Sequence, residues 1–166
     1  MIILDILIKS FWAGVAAIGF AILFNVPQRT IYAIAAIGTV GGLVKFSAMH
    51  LDMGIVFSSF LGATAVGIFS IQMAHLRKSP PLVFSIPSVI PMVPGFFAYN
   101  MILGLINLTS LENTDAYLQT LIETVNNGVK MLFILLSLGI GVAIPMLLSR
   151  KESIKKSKFN KKKAVV

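Results

Sequence analysis

The chain has 166 residues, of which 57% are hydrophobic and 12% charged, with a mean hydropathy of +0.90. A soluble domain cannot hide that much apolar surface beneath so few polar groups, so lipid does the burying and the fold class is an all-α integral membrane protein. The lack of cysteine excludes disulfides, thiol catalysis and thiolate metal sites. The net charge of +8 is no nucleic-acid signal, because eight of the fourteen Lys and Arg residues lie after position 149.

A bilayer core about 30 Å thick is crossed by a helix of about 20 apolar residues. Five stretches reach that length. The first runs from Ile2 to Phe24. Its Asp5 and Lys9 are four apart, share a helix face and are expected to pair. No basic segment precedes this run, so no cleaved secretory signal is expected. Asn25-Val-Pro-Gln-Arg29 reads as a turn, with Arg29 setting topology. The second span, Ile31 to Ala48, carries Lys45. A charge at membrane depth marks function by default, unless a long stem lets the ammonium reach the surface a turn away. The sequence leaves both readings of Lys45 open.

After the turn His50-Leu-Asp52, the third span runs from Gly54 to Leu76. Ser58, Ser59 and Thr64 are expected to bond back to their own helix, and Gln72 and His75 to sit near the membrane edge. Small residues recur through the spans, as Gly38 with Gly42, Ala63 with Gly67, and Gly14, Gly19, Gly62, Gly139 and Gly141. They let backbones approach closely where hydrophobicity cannot drive association, within one bundle or against a second subunit.

Arg77-Lys-Ser-Pro-Pro81 leads into the fourth span, Leu82 to Leu108. This span holds Pro87, Pro91 and Pro94, with Gly95 next. In a continuous helix the three prolines share one face, and each strips a hydrogen bond from the carbonyl four residues earlier, on Val83, Pro87 and Ile90. Unpaired carbonyls in hydrocarbon cost several kcal/mol each, so that face must meet protein or a water-filled cavity. Gly95 gives the backbone freedom to turn. The pattern predicts a discontinuous helix, the device that builds substrate sites near the midplane of transporters. A second half-helix starting near Pro94 would aim the amides of Gly95, Phe96 and Phe97 at an anion. Ser85, Ser88, Tyr99 and Asn100 supply polar groups on either side, and Lys45 is a candidate counter-charge. The candidate substrate-binding set is therefore Lys45, Ser85, Ser88, Pro91, Pro94, Gly95, Tyr99 and Asn100, with Pro87, Pro91, Pro94 and Gly95 forming the break.

The fifth span runs from Val129 to Leu148. The connection before it, Thr109 to Asn127, mixes Leu111, Leu118, Leu121 and Ile122 with Glu112, Asp115 and Glu123. That mixture fits an amphipathic surface helix or a polar loop. Residues 1–149 form the membrane domain and residues 150–166 a basic tail. Basic residues favour the cytoplasmic side, which puts the tail, Arg29, Arg77 and Lys78 inside and the N-terminus outside. A four-span alternative needs the second or fourth segment not to cross.

Phe24-Asn-Val-Pro-Gln-Arg29, Gly67-Ile-Phe-Ser-Ile-Gln72 and Val89-Ile-Pro-Met-Val-Pro-Gly95 with Tyr99 resemble the threonine/serine exporter family. The match is closest to the small membrane subunit of its split, two-subunit form, and covers roughly Ile2 to Leu148. The resemblance implies half of a secondary exporter in a bacterial cytoplasmic (inner) membrane. It also implies a larger partner subunit of the same family and a small substrate such as succinate, threonine or serine. The basic tail is longer than the resemblance requires, and reads as an anionic-lipid contact.

A non-transporting scaffold is the alternative, and predicts a fourth span that packs dry with every polar group satisfied. A membrane enzyme fits poorly. The chain has no paired intramembrane aspartates, no His-Glu-x-x-His and no nucleophile elbow, and nothing calls for a cofactor or metal.

Overall fold

The computed structural model describes residues 2–109 and 114–163, with 150–163 described by backbone alone. Leu111 and Glu112 of the long connection lie outside the described residues, as do the side chains on which the lipid reading of the tail depends. Among the described residues the secondary structure is entirely helical. The helices are α1 (Ile2–Leu23), α2 (Ile31–His50), α3 (Ile55–Arg77), α4 (Pro81–Val89), α5 (Gly95–Leu108) and α6 (Thr114–Lys163). Short 3-10 turns cover Gln28–Thr30 and Ile90–Met92.

The first three helices form an antiparallel set closed by tight turns. A residue with left-handed backbone follows each of them: Asn25 (φ 52°), Asp52 (φ 55°) and Lys78 (φ 49°). Gly54 (φ 72°) completes the second turn. Asn and Asp tolerate this conformation because their short polar side chains bond locally, and it lets the chain double back within a few residues.

Small residues weld the set together, as their spacing predicts. A Cβ on Gly38 would lie 2.8 Å from the Ala17 Cβ, and one on Gly42 would lie 3.2 Å from the Ser10 Cα, so α1 and α2 touch along this face. On the other side of α2, a Cβ on Gly41 would lie 2.5 Å from Val66 of α3 and 2.5 Å from the Met92 methyl. Ala63 and Gly67 face the opposite way, toward α6. A Cβ on Gly141 would come within 2.8 Å of both the Ala63 Cβ and the Phe60 carbonyl oxygen. A Cβ on Gly67 would meet Pro145 and Val142 at 3.1 Å.

Those last contacts fix the chain direction. Phe60 and Ala63 pair with Gly141, and Gly67 pairs with Val142 and Pro145, so α3 and α6 run parallel. Both are long and apolar enough to cross a membrane. Two parallel crossings require an odd number of crossings between them. The intervening chain is α4, the 3-10 turn and α5, bent by 53° at the break. That direction fits one broken span and not a re-entrant hairpin, which makes up to five crossings among the described residues.

The fifth span differs from its expected form. The helix does not begin near Val129, because α6 starts at Thr114 and runs on without interruption. No proline falls between Thr114 and Pro145 to stop it, and Leu118, Gln119, Leu121 and Glu123 are good helix formers. Its early turns have their own partner. Thr124 packs against Gly104 of α5, Met101 against Gly128, and the Lys130 ammonium lies 5.8 Å from the centre of the Phe97 ring. The expected separate surface helix or polar loop is, from Thr114 onward, the first part of this continuous helix.

Candidate functional site

The three prolines act differently. Pro87 sits inside α4, and Pro91 is the middle residue of the 3-10 turn. Ile90, ahead of Pro91, keeps helical backbone. The break belongs to Val93-Pro94. Val93 is extended (φ −58°, ψ 137°), as expected of a residue crowded by a following proline ring. Pro94 (φ −80°, ψ 61°) then forms an inverse γ-turn, in which the Gly95 amide donates to the Val93 carbonyl at 2.9 Å. The Gly95 amide is thus occupied and does not await an anion. The Ile90 carbonyl, expected to lose its donor to Pro94, accepts from the Val93 amide at 3.0 Å.

The Met92 carbonyl is bonded from another helix. The Lys45 ammonium donates to it at 2.9 Å, and Lys45 is only 8% exposed. Lys45 therefore does not reach for the membrane surface. Among the described residues it has no ion pair. Gly62 makes the approach of the three helices feasible. A Cβ there would lie 2.9 Å from the Gly41 carbonyl, 3.0 Å from the Lys45 Cβ and 3.3 Å from the Met92 sulfur.

Further hydroxyls lie along the same helices. Ser88 donates to the Ile34 carbonyl of α2 at 3.0 Å. Ser58 and Thr64 bond back to Gly54 and Phe60 on their own helix, as expected. Ser59 does not. Ser59, Ser70 and Ser85 are fully buried, and their hydroxyls have no hydrogen-bond partner. Buried polar atoms are nearly always satisfied, so three orphans in one small bundle call for a reason.

Comparison with known proteins gives this arrangement a context. The family model described as "Threonine/Serine exporter, ThrE" matches residues 9–148. The chain belongs to the threonine/serine exporter family. A Haemophilus influenzae protein described as an "Uncharacterized protein" is 29% identical over 145 residues, covering 87% of this chain and 48% of that protein. The chain thus spans about half the length of this curated relative. No solved structure matches.

In this exporter-family chain the candidate site residues separate into two groups. Lys45 on α2 and Ser85, Pro87 and Ser88 on α4 are buried among the first four helices, Pro94 is buried beyond the 3-10 turn, and Pro91 is half-buried within it. Gly95 and Tyr99 lie on the exposed side of α5, Tyr99 at 62%, and Asn100 is half-buried on that helix. The structure does not bring these three together with the serines. Sequence reasoning missed the Met92 carbonyl, a backbone atom without a side-chain signature, and Gly41, whose doublet with Gly42 was a usable signal. It also gave Ser70 no role, although Ser59, Gly62, Val66 and Ser70 share one helix face by their spacing of three, four and four.

Other polar pairs are peripheral. Lys9 bonds Asp5 at 2.6 Å on the exposed face of α1. With His50 they border an open groove of about 410 Å³ between the start of α1 and the end of α2. His75 Nδ1 lies 2.8 Å from the Ile71 carbonyl on its own exposed turn.

Proposed function

We propose that this multi-pass membrane protein is one half of a secondary exporter of small carboxylate or amino-acid metabolites, acting with a larger subunit of the same family. The supporting observation is the fourth span: it breaks at Val93-Pro94, next to the Met92 carbonyl bonded by a buried lysine that has no carboxylate partner among the described residues. Broken helices next to buried polar groups are how transporters build sites that open alternately to each side. Membership of an exporter family favours transport over catalysis.

The placement of basic residues supports a cytoplasmic C-terminus in a bacterial inner membrane. The candidate substrates are succinate, threonine and serine. The scaffold reading has one observation in its favour, the dry packing of α4. It has one against it, since it calls for every polar group of the fourth span to be satisfied, and the buried Ser85 hydroxyl of that span has no partner among the described residues.

Efflux of labelled succinate and labelled threonine from proteoliposomes tests the proposal. Efflux with both subunits, and not with either alone, is the expected result. A stable two-subunit complex that moves neither compound would favour the scaffold.

A further inference from the structure

The orphaned hydroxyls lie at different depths. α3 ends and α4 begins at the same end of the bundle, joined by the turn at Lys78. At about 1.5 Å per residue, Ser85 lies about 6 Å in from Pro81, and Ser70 about 10 Å in from Arg77. The Lys45–Met92 contact lies deeper, level with Gly62, and Ser59 lies one turn beyond it. On α3, Ser59, Gly62, Val66 and Ser70 share one face, and Gly62 and Val66 of that face touch Gly41 and Met92. On α4, Ser85 is buried one turn after Pro81, and Met92 follows in the 3-10 turn beyond the helix. Ser59 and Ser70 thus lie on the α3 face that meets Gly41 and Met92, and Ser85 is buried on α4 nearer the Arg77–Pro81 end.

We propose that the seam between α3 and α4 is a closed substrate path for a small carboxylate, with Lys45 as its binding residue and the Met92 carbonyl as its latch. In the closed state the carbonyl occupies the ammonium and holds the break shut. A carboxylate is a stronger partner for an ammonium than a neutral carbonyl is, so an arriving substrate displaces Met92. The 3-10 turn is then free to move about Val93-Pro94. Ser85 and Ser70 offer hydrogen bonds to a desolvated carboxylate on its way in, and Ser59 offers one beside Lys45. The proposal rests on the exporter reading for its substrate class, but the latch is a separate structural claim.

The test uses the full chain, co-expressed with the larger exporter subunit, and exploits the absence of native cysteine. Single Ser70→Cys and Ser85→Cys variants are exposed to a small water-soluble thiol reagent in three backgrounds: Lys45, Lys45→Gln and Lys45→Met. Gln keeps a donor for the Met92 carbonyl and loses the charge, whereas Met loses both. Labelling should be slow with Lys45 and with Gln, and several-fold faster with Met. Succinate efflux should fall several-fold in Lys45→Gln at unchanged complex yield. Equal labelling in all three backgrounds overturns the latch. Undiminished succinate and threonine efflux in Lys45→Gln overturns Lys45 as the carboxylate site. Lack of efflux from the unmodified pair overturns the exporter reading and the ligand class with it, while the labelling still decides the latch.

Discussion

The two halves of the fourth span come from one apolar run and meet opposite surroundings. α4 is wedged among α1, α2 and α3, and Phe84, Ser85, Pro87 and Ser88 are fully buried. α5 rests on α6 and has no buried residue at all, with Phe96 72% exposed. Overall hydrophobicity does not distinguish them. The difference lies in what each half offers a neighbour: α4 presents serines and prolines to protein, and α5 presents Phe, Ile and Leu to the surroundings. In a membrane protein, polarity inside and apolarity outside is the arrangement that lipid enforces.

The comparison has an all-or-none consequence. If α4 and α5 are one crossing, the two chain ends lie on opposite sides of the membrane. Reporter fusions at each end should give opposite sidedness, and same-side ends would turn the pair into a hairpin. Next in size is packing. Phe84→Ala should lower stability by about 3–5 kcal/mol, as removal of a buried aromatic side chain does. Phe96→Ala, at the start of the other half, should change it by about 0.5 kcal/mol or less. Thermal unfolding in detergent measures both, and equal losses would erase the contrast between the halves.

A third test addresses α6, which serves α3 and α5 at different points along its length. Gly141→Ala forces a Cβ into Ala63 and the Phe60 carbonyl, whereas a Cβ on Gly139 meets nothing within 4 Å. The first should cost about 1–3 kcal/mol by overpacking, and the second should be close to neutral in the same melts. The smallest effect belongs to the exposed Asp5–Lys9 pair. Asp5→Asn should shift stability by about 0.3–0.5 kcal/mol, and less at high salt.

Much of this architecture is legible in the sequence because hydrophobic length and proline are strong local signals. The first four spans, the tight turns, the small-residue contacts and the interruption of the fourth span follow from them, whereas the start of the fifth does not. The remainder depends on tertiary context. Which proline breaks the helix is decided by packing, since Ile90 stays helical ahead of Pro91 while Val93 does not ahead of Pro94. The polar residues Glu123, Asn126 and Asn127 resemble a loop, yet α5 lies alongside that stretch and α6 runs straight through it. Ser58 and Ser59 are adjacent, and each has the carbonyl four residues back on its own helix within reach, yet only Ser58 bonds it. The partner of Lys45 is a backbone oxygen, which no side-chain pattern can announce.

The claim that the break at Val93-Pro94 is where transport happens is tested most directly by Pro94→Ala. Efflux of labelled succinate and threonine would be compared between this variant and the unmodified chain, each with the larger subunit at matched complex yield. Restoring the missing amide lets α4 and α5 join, so the account predicts loss of efflux with insertion and assembly intact. Efflux at the unmodified rate would contradict it.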